Sequence, residues 1–409
     1  MRGRQWIAVP VFCCFLFAMK SCNMAQALEK KPGTGNADLL EQIDNAYIKG
    51  LDYLVTMQHA DGSFGTVQKD VGITGLIVSA IVRLDAKKRK PYKKTLHKAV
   101  DYIVGQQNED GSFGSGMGLA NYWTSISTMA LEDVDPKKYS KQIAKGRTYL
   151  AETQFSESYK GFKKDDWQYG GFDYDSNEKK GVERNAGPDL NNTGFALESL
   201  NKTGLPKDSK VWKRAVYFLK RCQNSSEVSD LPAIMKKTNE KKVKLTDDGG
   251  AMYYPGNSKV EEKTQEGWIF HSYGSMSYIL LQSYLFCGID KTDKKVKEVM
   301  AWIKKNFTLD VNPGLEKQKK KNAGKQGLFS YYRVMSSALL TYGEPSFKVG
   351  SGKTVHWAEA LSLKLLQLQD KSGKWVNKAS RWWEGDPVLV TAYSLLTLNN
   401  CTQQLKKGD

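Results

Sequence analysis

Apolar residues recur along most of this chain with the spacing of α-helices, and the helical segments come in pairs. The first segment of a pair has apolar residues on one face and Lys, Asp or Glu on the other. The second is rich in Ala, Ser, Gly, Leu and Ile and poor in charge. These second segments lie at 74–84, 123–131, 193–200, 276–286, 334–342 and 388–398. The pattern predicts six helical hairpins whose charge-poor helices are inside and whose amphipathic helices are outside.

The hairpins are copies of one unit. The segments KGLDYL and KAVDYI, which begin at Lys49 and Lys98, each lead to a glutamine, Gln58 or Gln107, and then to the same turn, DGSFG. The glutamine recurs in every later unit except the fifth, at Gln154, Gln223 and Gln369. Similarity at a spacing of about 45–80 residues indicates a repeat architecture.

Closure of the repeats into a ring is the next prediction. Six units without a polar capping repeat at the C-terminal end predict an all-α fold, an α/α toroid of twelve helices in two concentric rings, with an open solenoid as the alternative. Long insertions at 155–188, 224–265 and 308–326 separate the two helices of three units. We expect all three to project from one end of the toroid, where loops build sites.

The N-terminus has the pattern of a secretory signal. Arg2 and Arg4 precede an apolar run over 6–19 and a small-residue cleavage site that ends at Ala27. The run is shorter than the roughly 20 residues that span a membrane, so we expect export to the periplasm or outside the cell; an uncleaved anchor and lipidation at Cys22 are the alternatives. The predicted divisions are a signal over 1–27, a flexible segment over 28–40, a single toroid domain over 41–402 and a flexible tail over 403–409.

Charge and cysteine content change this picture little. The chain has a formal net charge of +17, and loss of the three basic residues of 1–27 leaves +14. The lysines are scattered and no nucleic-acid motif is present, so we expect a solvated surface and no nucleic-acid partner. Outside the signal lie Cys222, Cys287 and Cys401, for which one disulfide with one free thiol, or three thiols, both fit.

The repeat motif resembles that of a known superfamily. A basic residue, a small residue, an aromatic, an aliphatic and a Gln before a Gly-x-aromatic turn are similar to the repeat of squalene and oxidosqualene cyclases. The segments DDGGAMYY at 247–254, QGLFSYY at 326–332 and WEGDP at 383–387 resemble bacterial secreted proteins described as prenyltransferase and squalene oxidase repeat proteins. This resemblance implies the toroid of terpenoid cyclases and protein prenyltransferases. It also implies that the Gln ties neighbouring hairpins together.

The catalytic motif of the cyclases is altered. These enzymes protonate their substrate with the middle Asp of an Asp-x-Asp-Asp-Thr segment, whereas this chain has Asp189, Asn191 and Asn192 at the three acidic positions. An amide has no acidic proton, so standard cyclase chemistry is disfavoured. Asp189 remains the catalytic candidate; its alternative role is that of a helix cap, which would lower its pKa.

The zinc ligands of protein prenyltransferases are also missing from the pattern. No Asp-x-Cys opens an inner helix, and Val390 occupies the place expected for the His ligand. His271 and Cys287 are sixteen residues apart, too far along one helix to share a metal. We therefore expect no metal and no other cofactor.

If the ring closes, the starts of the inner helices meet at one mouth. The candidate cavity residues there are Tyr122, Trp123, Asp189, Asn191, Asn192, His271, Tyr273, Tyr331, Tyr332, Arg333 and Asp386. Aromatic residues with a few polar groups are typical of ligand sites. The sequence favours binding of an apolar, isoprenoid-like or carbohydrate ligand, or of a protein partner.

The alternative is an enzyme whose acids are displaced. One form is a cyclase that uses Asp189 or an acid of an insertion loop, and the other is a polysaccharide lyase or hydrolase on a six-hairpin toroid. The second form would draw on the paired carboxylates Asp165-Asp166 or Asp247-Asp248.

Overall fold

The computed structural model describes residues 36–66, 69–174, 187–238 and 242–407. Two sets of six helices dominate the described residues. The outer helices are α1 (Asn36–Thr56), α4 (Lys93–Gly105), α6 (Ser140–Glu152), α8 (Lys210–Cys222), α11 (Lys294–Asn306) and α13 (Trp357–Leu368). The inner helices are α2 (Val71–Val82), α5 (Ala120–Val134), α7 (Leu190–Lys202), α10 (Gly274–Phe286), α12 (Leu328–Tyr342) and α14 (Pro387–Leu405).

Shorter elements connect these helices. The short α-helices are α3 (Ala86–Arg89) and α9 (Leu231–Lys237), and the 3₁₀ turns are Lys90–Tyr92, Leu315–Lys317, Ala323–Lys325 and Arg381–Trp383. The strands are β1 (Val243–Lys244), β2 (Glu261–Thr264), β3 (Gly267–Phe270), β4 (Ser346–Lys348) and β5 (Thr354–His356). Central β3 pairs in parallel with β1 and antiparallel with β2, while β4 and β5 form an antiparallel hairpin.

The inner helices form a closed ring. In chain order each packs against the next, and α14 packs against both α2 and α1. The first and last hairpins are therefore neighbours. This confirms the predicted toroid of two concentric layers, and the open solenoid is excluded.

Burial follows the predicted division between rings. In α10 every residue from Gly274 to Tyr284 is buried, as expected for a helix that is covered on all sides. In α8 buried residues recur at Val211, Ala215, Phe218 and Cys222, which form one stripe that faces the inner ring.

The repeated glutamine joins consecutive hairpins. Gln58 Nε2 donates to the Gly62 carbonyl of its own turn at 3.1 Å and to Thr95 O of the next outer helix at 2.9 Å. Equivalent pairs of bonds are made by Gln107, Gln154 and Gln223. Gln369 Nε2 donates to Gly373 O and to Ala46 O, both at 2.8 Å, and so links the sixth hairpin to the first. The predicted role of this residue is confirmed.

Glycine is required in these turns. Gly62 has φ +93°, and a Cβ there would lie 2.2 Å from Lys98 O of the next outer helix. Gly373 has φ +92°, and its Cβ would lie 2.3 Å from Lys49 O. Both the left-handed backbone and the close approach exclude a side chain.

The fifth joint is built differently. It has no glutamine, and the β4–β5 hairpin packs against the end of α11 instead. Gly350 N donates to Lys304 O at 2.9 Å, and the rings of Phe307 and Phe347 meet edge to face at 5.4 Å.

The insertions gather at one end of the ring, as predicted. Arg221, at the end of α8, donates to the carbonyls of Lys164 and Asp166 in the first insertion and pairs with Asp230 in the second. Trp167 of the first insertion stacks on Tyr254 of the second, with ring centroids 5.5 Å apart.

The helical domain extends beyond its predicted limits of 41–402. Residues 36–40, expected to be flexible, belong to α1, since Leu39 and Leu40 pack against the core. At the other end α14 continues to Leu405, which is buried.

The predicted secretory signal, its cleavage near Ala27 and the flexible segment up to residue 35 lie outside the described residues. All three cysteines outside the signal are free thiols. Among the described residues, no helix is both long and apolar enough to span a bilayer.

We predict that Gln369→Ala and Gln107→Ala lower the free energy of unfolding by similar amounts. Each loses one hydrogen bond to its own glycine turn and one to the next outer helix, which together contribute about 1–3 kcal/mol. Because the ring is closed, the joint between the last and first hairpins should matter as much as an internal one. Urea denaturation measures the effect, with Gln403→Ala as the control because the Gln403 side chain is exposed and bonds only Asn399 on its own helix. A loss at Gln107 without one at Gln369 would show that the ring is open in solution.

Candidate functional site

A cavity of about 240 Å³ opens at the end of the ring where the inner helices begin. We call it the mouth cavity. All six inner helices contribute to its lining, through Ile73, Tyr122, Asn191, Phe195, Ser275, Met276, Ser330, Leu389 and Tyr393. The insertions add Tyr174, Tyr253, Lys259 and Asn312, and the remaining lining residues are Asp70, Met117, Leu119, Tyr273, Gly327, Trp382, Trp383 and Asp386. Closure of the ring therefore creates this site.

Most of the wall is aromatic or aliphatic, and four of its tyrosine hydroxyls lie in two pairs. The hydroxyls of Tyr122 and Tyr393 are 3.2 Å apart, and those of Tyr174 and Tyr253 are 3.4 Å apart. The Phe195 ring packs edge to face on Tyr122 at 4.9 Å. These pairings occupy the polar ends of the rings.

Two exposed tryptophans form a rim, which we call the tryptophan rim. Trp382 and Trp383 are 37% and 53% exposed, and both have left-handed backbone, with φ of +56° and +68°. Non-glycine residues reach this region at a cost of about 1–3 kcal/mol each. Large apolar side chains held exposed by a strained backbone are typical of binding sites.

A buried carboxylate anchors this rim. Glu384 accepts hydrogen bonds from Ser330 N at 2.7 Å, Phe329 N at 3.3 Å and Asn377 Nδ2 at 2.6 Å. It thus ties the segment that carries the tryptophans to the start of α12. Burial raises the pKa of Glu384 to about 7, although these hydrogen bonds act in the opposite direction.

Two lining carboxylates cap neighbouring inner helices. Asp70 Oδ1 accepts from Ile73 N at 2.8 Å and its Oδ2 from Trp123 Nε1 at 3.2 Å. Asp386 Oδ1 accepts from Val388 N at 2.7 Å and its Oδ2 from Thr66 N at 3.2 Å. Every oxygen of the two groups already accepts a protein hydrogen bond. Burial raises the pKa of Asp70.

Asp189 is a helix cap, but its predicted pKa shift is wrong in direction. Its Oδ1 accepts from Asn192 N at 2.9 Å and its Oδ2 from Asn192 Nδ2 at 2.6 Å. The residue is 2% exposed, and burial raises the pKa of Asp189 to about 6 against the opposing hydrogen bonds of Asn192 and Tyr253. Among the residues that the structure describes, no ion pair offsets this cost, and desolvation outweighs capping.

Four of the predicted cavity residues line the mouth cavity: Tyr122, Asn191, Tyr273 and Asp386. Asp189 and Asn192 lie beneath its surface, and Trp123 is buried against Asp70. The predicted set is therefore only partly brought together.

The other four predicted residues have different contacts. The hydroxyls of Tyr331 and Tyr332 donate to Thr308 O and Leu309 O in the third insertion. Arg333 pairs with Glu198 of α7 at 2.9 Å, and His271 Nε2 lies 3.4 Å from Glu262 Oε2 on β2. These residues stabilise the walls or the insertions.

Sequence reasoning missed the residues that the insertions and the tryptophan rim supply. Tyr174, Tyr253 and Lys259 lie in segments without helical periodicity, which gave no means of placing them. Trp382 and Trp383 had one usable signal, since they directly precede the Glu-Gly-Asp-Pro segment whose Asp386 was placed at the mouth. Among the described residues, no group of three His, Cys, Asp or Glu side chains is placed to bind a metal ion.

No protein-family model and no curated protein matches the sequence. Solved structures do match the fold. The type II terpene cyclase MstE from Scytonema is 12% identical, with a TM-score of 0.51 and coverage of 89% of this chain and 99% of that chain. A variant of it in complex with geranylgeranyl dihydroxybenzoate also has a TM-score of 0.51 at 12% identity, with coverage of 90% and 99%.

An α-1,6-mannanase from Salegentibacter sp. HEL1_6 is similar to the same extent. Its TM-score is 0.52 at 10% identity, with coverage of 90% of this chain and 99% of that chain. Two enzymes of unrelated chemistry thus match equally well, and the likeness extends to the toroid alone.

We predict that Asp189→Asn stabilises the protein at neutral pH. The folded-state pKa of about 6 lies above the ordinary aspartate pKa of 3.8, so ionisation of Asp189 removes stability as pH rises from about 4 to 6. Asn caps a helix as well as Asp, and Asn192 Oδ1, which is buried without a partner, can accept from the new amide after a flip. The expected gain is on the order of 2 kcal/mol above pH 6 and vanishes near pH 4.

Urea denaturation of both proteins between pH 4 and pH 8 measures this difference. Asp189→Ala is the contrasting variant, because it loses the cap and should cost about 1 kcal/mol. A wild-type minus Asp189→Asn difference that does not change with pH would contradict the raised pKa.

Proposed function

We propose that this protein binds a small apolar ligand in the mouth cavity and does not use the catalytic acid of terpene cyclases or a bound zinc ion. The observation that carries the proposal is the convergence of all six inner helices on one mostly aromatic and aliphatic cavity. A concave apolar site with a few polar groups is the usual form of a ligand pocket.

The polar groups of the wall favour an apolar ligand over a carbohydrate. Asn312 and Ser275 bond each other, since Asn312 Oδ1 accepts from Ser275 N at 2.9 Å and its Nδ2 donates to Ser275 Oγ at 3.1 Å. Asp70 and Asp386 are bonded at both oxygens. These four side chains therefore have fewer donors and acceptors to offer to sugar hydroxyls, whose desolvation they would repay only in part.

The size of the cavity limits the ligand. At about 240 Å³ it is smaller than the 300–1,000 Å³ typical of pockets for drug-sized molecules. It therefore suits one short isoprenoid-like chain or a small ring system, or the end of a longer molecule that leaves past the tryptophan rim.

Binding is better supported than turnover. Asp189, the acid retained from the cyclase motif, has a raised pKa, but it lies beneath the cavity surface with both oxygens bonded to Asn192. A general acid must reach the atom that it protonates.

The paired carboxylates of the insertions also have structural contacts, and none lines the cavity. Asp165 pairs with Lys237, and Asp166 Oδ2 accepts from Lys163 N. Asp247 and Asp248 accept hydrogen bonds from loop groups of the second insertion and its neighbourhood. They offer no support for a lyase or hydrolase.

The fold likeness is compatible with this proposal. MstE has been solved with geranylgeranyl dihydroxybenzoate, its substrate, which carries a long isoprenoid chain. The same toroid can enclose such a molecule, and this chain combines that scaffold with an apolar cavity.

We predict that farnesol binds the mouth cavity and that Trp383→Ala weakens its binding about tenfold or more. Covering one aromatic side chain contributes about 1.5–3 kcal/mol, and 1.4 kcal/mol corresponds to a factor of ten. Isothermal titration calorimetry gives the affinities. Leu368→Ala is the control, because Leu368 is 39% exposed and lies outside the cavity.

Mannotriose is the competing probe in the same experiment. We expect no measurable heat from it. Binding of mannotriose without binding of farnesol, or equal farnesol affinity in Trp383→Ala and Leu368→Ala, would contradict the proposed apolar site.

A further inference from the structure

One side chain of the mouth cavity carries a positive charge that nothing in the described structure pairs. Lys259, in the second insertion, lines the cavity, and its Nζ lies 3.7 Å from the centroid of the Tyr253 ring. Among the described residues, no hydrogen bond or ion pair involves this ammonium group. Its one close polar contact is thus the face of an aromatic ring, a cation–π interaction.

Three other sheltered cations of the toroid have carboxylate partners. Lys202 pairs with Asp133, Arg221 with Asp230 and Arg333 with Glu198. Burying a cation without such a partner costs free energy, because its hydration is lost and not replaced. Lys259 is the exception in this set, and it is also the one that lines the cavity.

The charges nearest Lys259 do not neutralise it. Burial lowers the pKa of Lys259 most and Arg381 lowers it further, while Asp189 and Glu261 raise it. Neither carboxylate lies within ion-pair distance of its Nζ. Arg381, stacked on Trp382 of the tryptophan rim with Cζ 4.7 Å from the ring centroid, adds a second positive charge to the electrostatic field on this side.

The two acidic residues that line the cavity do not neutralise Lys259, because they are bonded to other groups. Asp70 and Asp386 accept hydrogen bonds from helix and loop groups at all four of their oxygens. An anionic group in the cavity would be repelled by these carboxylates and attracted to the wall formed by Lys259.

We propose that the ligand of the mouth cavity is an anionic amphiphile, whose carboxylate or phosphate group is held by Lys259 while its apolar body lies against the aromatic wall. The inference rests on the proposed function, since it assigns one end of the ligand that the cavity binds. A compact ammonium group suits either anion. A charge-assisted hydrogen bond from Lys259 Nζ to this anion gives the ammonium group the partner that the described residues do not supply.

Three probes with the same apolar body and different heads test the assignment: farnesol, farnesoic acid and farnesyl phosphate. Isothermal titration calorimetry with the full protein at pH 7.5 gives the affinities. We expect at least one of the two anionic probes to bind about tenfold more tightly than farnesol, as one charge-assisted hydrogen bond implies. Preference for farnesoic acid indicates a free carboxylic acid as the natural ligand, and preference for farnesyl phosphate indicates a phosphate; either supports the subsite.

Variants of two lysines isolate the charge. Lys259→Met should abolish the preference for the anionic probes over farnesol, whereas Lys259→Arg should keep that preference. Lys263→Met is the matched control, because Lys263 belongs to the same insertion and lies over the Trp268 ring at 5.6 Å, but outside the cavity. Urea unfolding midpoints of the three variants that equal the midpoint of the unaltered protein exclude a folding defect.

The two proposals fail in distinguishable ways. If farnesol binds but neither anionic probe binds more tightly, or if the preference survives in Lys259→Met, the anionic subsite is wrong and the apolar cavity stands. If none of the three probes binds, the proposed function is wrong, and the anionic subsite that rests on it is wrong as well.

Discussion

Five glutamine side chains each donate one hydrogen bond within their own hairpin and one to the next hairpin, and five of the six joints of the ring depend on them. Each amide bonds the glycine turn of its own hairpin and a carbonyl of the next outer helix. The turn can approach that helix because glycine has no Cβ. An inner-helix hydroxyl then fixes the other side of the turn, as Thr74 Oγ1 does by accepting from Phe64 N at 3.0 Å. Short local contacts, repeated around the circle, thereby set its curvature and its closure.

The mouth cavity is a product of this closure. No single hairpin contains the site, since each inner helix contributes only one or two side chains near its start. The wall is held by its own polar groups: Asp70 and Asp386 cap helices, and Glu384 holds the tryptophan rim against α12. What these contacts leave available is a mostly apolar interior that includes Lys259, a cation without a carboxylate partner among the described residues. Selectivity in such a site comes from the polar and charged groups of the wall that lack a protein partner, because groups that are already bonded contribute less to ligand binding.

Much of the fold could be predicted from the sequence, because hairpins, ring positions and the glutamine joints are encoded in local periodicity. The site could be predicted less well. Tyr331, Tyr332 and Arg333 were placed in the cavity, but a helical face cannot be oriented until the first residue of the helix is known, and α12 begins at Leu328. Lys259 and the tryptophan rim lie in aperiodic segments whose positions depend on long-range packing. The capping role of Asp189 can be predicted from its residue type. The direction of its pKa shift cannot, because that direction depends on how deeply the carboxylate is buried.

The closing joint has a consequence for how the chain folds. Gln369 and the Ala46 carbonyl that it bonds are 323 residues apart, whereas the other joints link hairpins that are neighbours in sequence. Neighbouring hairpins can pack together without this distant contact, so we expect an open arc to form before the ring closes. The two ends of this arc, at α1 and α14, have apolar surfaces that stay uncovered until the two ends pack against each other. Contacts so distant in sequence slow folding, and uncovered apolar flanks favour association with other chains. For this architecture, aggregation is most favoured in the time between completion of the arc and closure of the ring.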